Sequence, residues 1–169
     1  QANESVKGGK WDRKKFMGVE LYGKTLGIIG MGRIGTEFAK RALSFGMKIV
    51  AYDPFLSEEK AKSLGVESVK LDALLKKGDF ITIHTPLTDE TRHLIDEKAF
   101  KKMKKGVRII NAARGGIVDE KALAKNLKSG KVAGAALDVY ETKAKPPVDS
   151  PVVKIDAVVT TPHLGASTE

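Results

Sequence analysis

A chain of 169 residues, 41% hydrophobic and 30% charged, has the length and composition of one globular domain with its own core, and it is too short for two. It contains no cysteine, which excludes disulfides, thiolate metal sites and cysteine nucleophiles, and no apolar run is long enough to span a bilayer. The formal charge of +9 raises the question of nucleic acid, but the lysines and arginines are scattered along the chain, so neither nucleic acid nor a membrane is an expected partner.

Residues 1–23, of which the first ten are polar, unlike a secretion signal, carry Trp11 and the basic Arg13, Lys14 and Lys15. They read as an N-terminal arm, or the remnant of a connecting helix, that packs over an edge or touches a second subunit. Residues 24–169 read as a dinucleotide-binding domain. Apolar strand-like runs at 25–29, 48–52, 66–69, 80–84, 107–111, 132–137 and 157–161 alternate with helical patterns. This alternation predicts α/β architecture: a Rossmann-type doubly wound parallel sheet with helices on both faces.

The first strand leads directly into Gly30-Met31-Gly32-Arg33-Ile34-Gly35, which opens a helix ending near Gly46, with Ile34, Phe38, Ala42 and Phe45 at helical spacing. Gly30 permits the tight strand-to-helix turn, Gly32 lets a pyrophosphate approach the backbone, and Gly35 allows the helix to pack close to the strand. Free amides at the helix start face the phosphates. Eighteen residues after Gly35, at the end of the second strand, Asp53 is placed to accept hydrogen bonds from an adenosine ribose diol. Its charge repels a 2′-phosphate, so the expected cofactor is NAD rather than NADP.

Further along, Lys98, Lys101, Lys102, Lys104, Lys105 and Arg108 interleave with Phe100 and Met103, the pattern of a solvated helix face leading into a strand. Asp119 caps a helix on which Leu123 and Leu127 share a face, and Gly130 ends it. Residues 141–151 contain three prolines and read as a loop. In an open α/β sheet, ligands bind beyond the carboxyl ends of the strands. That rule gathers the glycine loop, Asp53, His84-Thr85-Pro86, Asn111-Ala112-Ala113-Arg114, Asp138 and His163 on one rim. Arg114 there can clamp a carboxylate bidentately or pair with a neighbouring acid, and His163 can exchange a proton with a substrate hydroxyl or cap a turn. Asp138 contacts the nicotinamide end or caps its strand. His84 at a strand end and His93 in a polar helical stretch read as structural, and no metal site is expected.

Taken together, these blocks carry a resemblance. The runs GKWDRKKFMG at 9–18, GKTLGIIGMGRIG at 23–35, YDP at 52–54, IHTPL at 83–87, NAARGGIVDE at 111–120, GAALDVY at 134–140 and TPHLGAST at 161–168 are similar to the cofactor domain of D-2-hydroxyacid dehydrogenases. Within that family they resemble most the branch acting on D-3-phosphoglycerate. The resemblance implies NAD contacts at Gly30, Gly32, Arg33, Ile34, Gly35, Asp53, Thr85, Pro86, Ala112, Ala113, Arg114, Asp138, His163, Gly165 and Ala166. It also implies Arg114 on the carboxylate of a small anionic 2-hydroxyacid, His163 as acid/base and a homodimer formed through the cofactor domains, while the polar start and the lack of a spanning run make the cytoplasm the expected compartment.

Two departures from the family pattern stand out. Where the family places a glutamate that favours protonated histidine, this chain reads Glu141-Thr142-Lys143-Ala144-Lys145-Pro146-Pro147, with Lys143 or Lys145 at the glutamate position and Glu141 the only acid nearby to reach His163. Nor does any segment match the family's separate substrate domain, so the sequence reads as an excised, reconstructed or designed cofactor domain. Two readings follow: a dehydrogenase domain of weak activity at best, or a dinucleotide-binding module without turnover, as in the family's corepressors.

Overall fold

Strand β1 (Thr25–Ile29) is an interior strand of a seven-stranded parallel sheet in the order β3-β2-β1-β4-β5-β6-β7. The other strands are β2 (Lys48–Tyr52), β3 (Glu67–Ser68), β4 (Phe80–Ile83), β5 (Val107–Asn111), β6 (Val132–Leu137) and β7 (Val158–Thr160). The computed structural model describes residues 2–167; Thr168, the last residue of the 161–168 run, lies outside them. The helices are α1 (Ala2–Lys7), α2 (Arg33–Ser44), α3 (Glu58–Ser63), α4 (Leu71–Lys77), α5 (Glu97–Lys102) and α6 (Glu120–Lys128), with a 3₁₀ turn at Arg13–Phe16. No helix among the described residues is long and apolar enough to cross a membrane.

The two faces of the sheet are buried separately, as alternation along a strand requires. Leu26 and Ile28 of β1 pack with Ile49 and Ala51 of β2 and with Ala39, Ala42 and Ala61 of α2 and α3. Ile29 faces the other way, into a larger cluster with Leu74, Leu75, Phe100 and Leu123 from α4, α5 and α6. Asp79 ties the start of β1 to its neighbours: one carboxylate oxygen accepts the Thr25 amide at 2.8 Å and the other the Lys104 ammonium at 2.8 Å.

The strands fall within one or two residues of their predicted positions. The third is the shortest, two residues long at the sheet edge, where brevity limits the exposed ladder. Asp119 caps α6 as expected, its carboxylate accepting the Lys121 and Ala122 amides. Helix α2 differs in an instructive way. Gly35, Ala39 and Ala42 form its buried face, whereas Ile34 (71% exposed), Phe38 and Phe45 (64% exposed) stand on the surface. Only small side chains fit where a helix lies this close to its strand, so the large apolar residues turn outward.

The crossover helices run back antiparallel to the strands, so their carboxyl ends gather at the edge opposite the glycine loop. Their last turns hold Arg41, Lys62, Lys77, Lys102 and Lys128, which complement the negative ends of the helix dipoles. Much of the net positive charge thus serves helix termini.

Candidate functional site

The site begins where β1 ends. Gly30 has φ of +95°, and a Cβ on it would lie 2.7 Å from the His84 carbonyl oxygen, so only glycine allows this turn beside β4. Gly32, the N-cap residue of α2, has open space where a Cβ would be and no side-chain cap, which leaves the first helical amides free for an anion. Asp53, at the end of β2, reaches across to this loop. Its Oδ2 accepts the Met31 amide at 2.7 Å and its Oδ1 accepts the Phe55 amide at 2.8 Å. Each oxygen keeps a second acceptor position, which is what a ribose diol needs.

Between the glycine loop and the end of β4 runs a cleft of about 500 Å³. Gly30, Gly32, Asp53, Thr85 and Pro86 line it as the sequence predicts, together with Tyr52, Phe55, Thr91 and Leu94, which sequence reasoning missed. Phe55 had a readable signal, an aromatic directly after Asp53-Pro54, and it stands 94% exposed at the cleft. Leu94 had none, because residues 89–94 form turns rather than the expected helical stretch. His93 takes φ of +51° there. His84 also lines the cleft, with its ring 5.3 Å from that of Phe38 and Nε2 3.1 Å from the Thr82 hydroxyl. Burial pulls its pKa below the usual histidine value, which favours the neutral ring and fits a structural role.

Beyond β5, the Asn111 side chain shapes the loop by accepting the Ala113 amide at 3.1 Å and donating to the Arg114 carbonyl at 2.9 Å. Arg114 is exposed, and its guanidinium donates to the Ala113 carbonyl at 2.7 Å, leaving most of its fork unspent. Ala112 is exposed beside it. Beyond β6, Asp138 is buried and accepts the Leu164 and Gly165 amides, each at 2.8 Å, and the Thr161 hydroxyl. Burial alone would raise its carboxyl, but these three hydrogen bonds outweigh that and hold it below the usual carboxylate range, with nearby His163 acting in the same sense. His163, Gly165 and Ala166 are exposed on this turn.

Glu141 does not serve His163. Its Oε1 accepts the Glu120 amide at 2.9 Å and faces His93 Nε2 at 3.2 Å, while Glu120 Oε1 accepts the Glu141 amide at 2.7 Å. The buried Glu120 also receives the Ser150 hydroxyl, so the 141–151 loop is fastened to the start of α6. Lys143 and Lys145 stand exposed on that loop.

One consequence for the ribose position is testable. Asp53→Ala removes the acceptor for the Met31 amide together with the charge that repels a 2′-phosphate, so NAD affinity should fall by about tenfold, ~1.4 kcal/mol, and the preference over NADP should shrink. Calorimetric titration with both cofactors checks this, and coincident isotherms for wild type and variant would remove Asp53 from the ribose site.

The family model for the D-isomer specific 2-hydroxyacid dehydrogenase, NAD binding domain, matches residues 1–165. The chain is similar to the D-3-phosphoglycerate dehydrogenases of Archaeoglobus fulgidus, at 59% identity over 168 residues, and of Bacillus subtilis, at 56% over 169. These alignments cover 99% and 100% of this chain and 32% of each relative. Among solved structures, a glyoxylate reductase from Paecilomyes thermophila superposes with a TM-score of 0.88 at 42% identity, over 98% of this chain and 50% of that one. A D-lactate dehydrogenase from Aquifex aeolicus, complexed with NAD and lactic acid, superposes with a TM-score of 0.87 at 37% identity, over 99% and 54%. The chain therefore spans about a third of the length of these sequence relatives and about half of the solved chains.

Proposed function

This chain belongs to the D-isomer specific 2-hydroxyacid dehydrogenase family as an NAD-binding domain, and on that premise we propose that it is the cofactor-binding part of an enzyme that oxidises D-3-phosphoglycerate. The glycine loop Gly30–Gly35 and Asp53 would hold NAD, which would supply the acceptor for a hydride leaving C2 of the substrate. Arg114 holds the substrate carboxylate in a bidentate grip, and the His163 imidazole takes the hydroxyl proton as the carbonyl forms. The observation that supports this reading best is the convergence of the glycine loop, Asp53, Arg114 and the His163 turn at the carboxyl ends of β1, β2, β5 and β7. Closure over the cleft, which excludes water and orients substrate, calls for residues outside this domain.

Arg114→Ala and His163→Ala should each remove turnover with D-3-phosphoglycerate by about a hundredfold or more, with NAD affinity largely kept. Calorimetry and an assay for reduced cofactor on the same samples check this, and equal residual rates in the two variants and wild type would overturn the assignment. A dinucleotide-binding module without turnover is the second reading. It is favoured by a lysine, Lys143 or Lys145, at the glutamate position and by the capture of Glu141 at His93 and Glu120. NAD binding with no reduction in wild type selects it.

A homodimer is the assembly we assign to the domain. Trp11 (77% exposed) and Met17 on the N-terminal arm, with Tyr22, Ile34 and Phe45, are large apolar side chains left in solvent, which a subunit contact would cover. Sedimentation should give twice the chain mass, and Trp11→Ala should shift it toward one. A monomeric wild type would sink the assignment.

A further inference from the structure

The turn that presents His163 is fastened chiefly by one side chain. Asp138 is 7% exposed, and its carboxylate accepts three hydrogen bonds from the segment flanking the histidine: the Thr161 hydroxyl and the Leu164 amide on Oδ1, and the Gly165 amide on Oδ2. Two residues further along, the Tyr140 hydroxyl donates to the Thr161 carbonyl at 3.0 Å, so the same stretch grips the turn twice. His163 takes φ of +61°, a left-handed conformation that non-glycine residues keep only where their surroundings enforce it. Gly165 belongs to the same device, since a Cβ there would lie 3.2 Å from Asp138 Oδ2 and press on the carboxylate. Three of the roughly four acceptor positions of a carboxylate are thus spent inside the protein, leaving about one for a ligand.

We propose that Asp138 is the positioning residue for His163: its buried carboxylate sets the left-handed turn that presents the imidazole to the cofactor rim. This rests on the reading of His163 as the acid/base. It gives that histidine a fixed anionic neighbour in a chain whose 141–147 loop sends its own acid elsewhere. The placement of Asp138 directly after β6 anchors its backbone, because β6 is paired on both sides, with β5 and β7.

Asp138→Asn is the direct test. The amide must turn an NH₂ group toward a backbone N–H in either orientation, so at least one of the two amide bonds is lost. Thr161→Val is the milder second variant, removing one hydroxyl donor and no carboxylate. In the cofactor-free chain, Asp138→Asn should speed hydrogen exchange at the Leu164 and Gly165 amides by about tenfold or more, with Ile28 and Ile109 unchanged. It should also move the His163 ring resonances while those of His84 and His93 stay in place. Thr161→Val should do both to a smaller degree. Where turnover is measurable, kcat should fall by about tenfold. Unchanged exchange, or faster exchange with unmoved His163 resonances, would overturn the proposal. Titration of wild type with NAD tests the underlying reading separately: failure to perturb the Gly32 amide removes the cofactor site and leaves the cofactor-free comparison to decide the role of Asp138.

Discussion

Alanine at position 35 should abolish NAD binding while leaving most of the sheet intact. A Cβ on Gly35 would lie 2.0 Å from the Gly30 carbonyl oxygen and 3.1 Å from its carbon, far inside van der Waals contact. Both are backbone atoms in the turn itself, so no side chain can swing aside to make room. The start of α2 has to move away from the end of β1, and the helical amides that face the phosphates move with it. Overpacking of this kind costs about 3 kcal/mol, which for a chain of this size lowers the melting midpoint by roughly 6–12 °C. NAD affinity should fall by about a hundredfold or more, ~2.7 kcal/mol. Calorimetry and a thermal melt on the same sample check both effects. Affinity within a few fold of wild type would mean that the glycine loop is not the phosphate site.

Alanine at position 115 should strike the opposite end of the rim. Its Cβ would meet the Tyr140 carbonyl oxygen at 1.8 Å and the carbonyl carbon at 2.3 Å. Tyr140 is held by its hydroxyl to the Leu137 and Thr161 carbonyls, and Glu141 by its bond to Glu120, so the loop after Arg114 yields rather than the loop it presses on. Stability should fall by about 3 kcal/mol, as at Gly35. The difference lies in function. Displacing Arg114 by an ångström should cost turnover about a hundredfold, whereas NAD affinity, which the proposed site assigns largely to Asp53 and the glycine loop, should change much less. Steady-state rates beside calorimetric titration separate the two. An equal loss in both would show that the Arg114 loop supports the whole cofactor site.

The strands and the glycine loop were legible because each depends on local pattern: an apolar run, a turn that only glycine takes, an acid at a strand end. Asp53 was legible for its charge and position, but its hold on the Met31 amide was not, since that contact crosses 22 residues. The outward stripe of Ile34, Phe38 and Phe45 shows where periodicity misleads. It identifies an amphipathic helix but does not show that the buried face of α2 must be made of glycine and alanine. The helical stretch expected around His93, and the reach of Glu141 toward His163, failed for a related reason. Residues 89–93 are a run of polar residues that reads as a solvated helix face, but the segment is set by His93 bonding to the Gly116 carbonyl and facing Glu141, contacts with residues more than twenty positions away. Asp138 was singled out for its place beyond a strand. That its carboxylate is spent on the His163 turn depends on the fold of the last seven described residues.

The strand order carries one more consequence. β1, β2 and β3 come from the first 68 residues and β4 to β7 from the rest, and in the described sheet the two sets are joined by the single ladder between β1 and β4, from Leu26 and Phe80 to Ile29 and Ile83. Gly30 and Asp53 lie on one side of that seam, Thr85 and Arg114 on the other. A dinucleotide spanning both sides stabilises only the state in which the halves are docked, by an amount that grows with the logarithm of its concentration over Kd. In thermodynamic terms the ligand is a reversible crosslink across that seam: it reinforces the β1–β4 ladder and the shared core in which Ile29 and Val50 pack with Leu74, Leu75 and Phe100, and its concentration sets how much it adds to their stability.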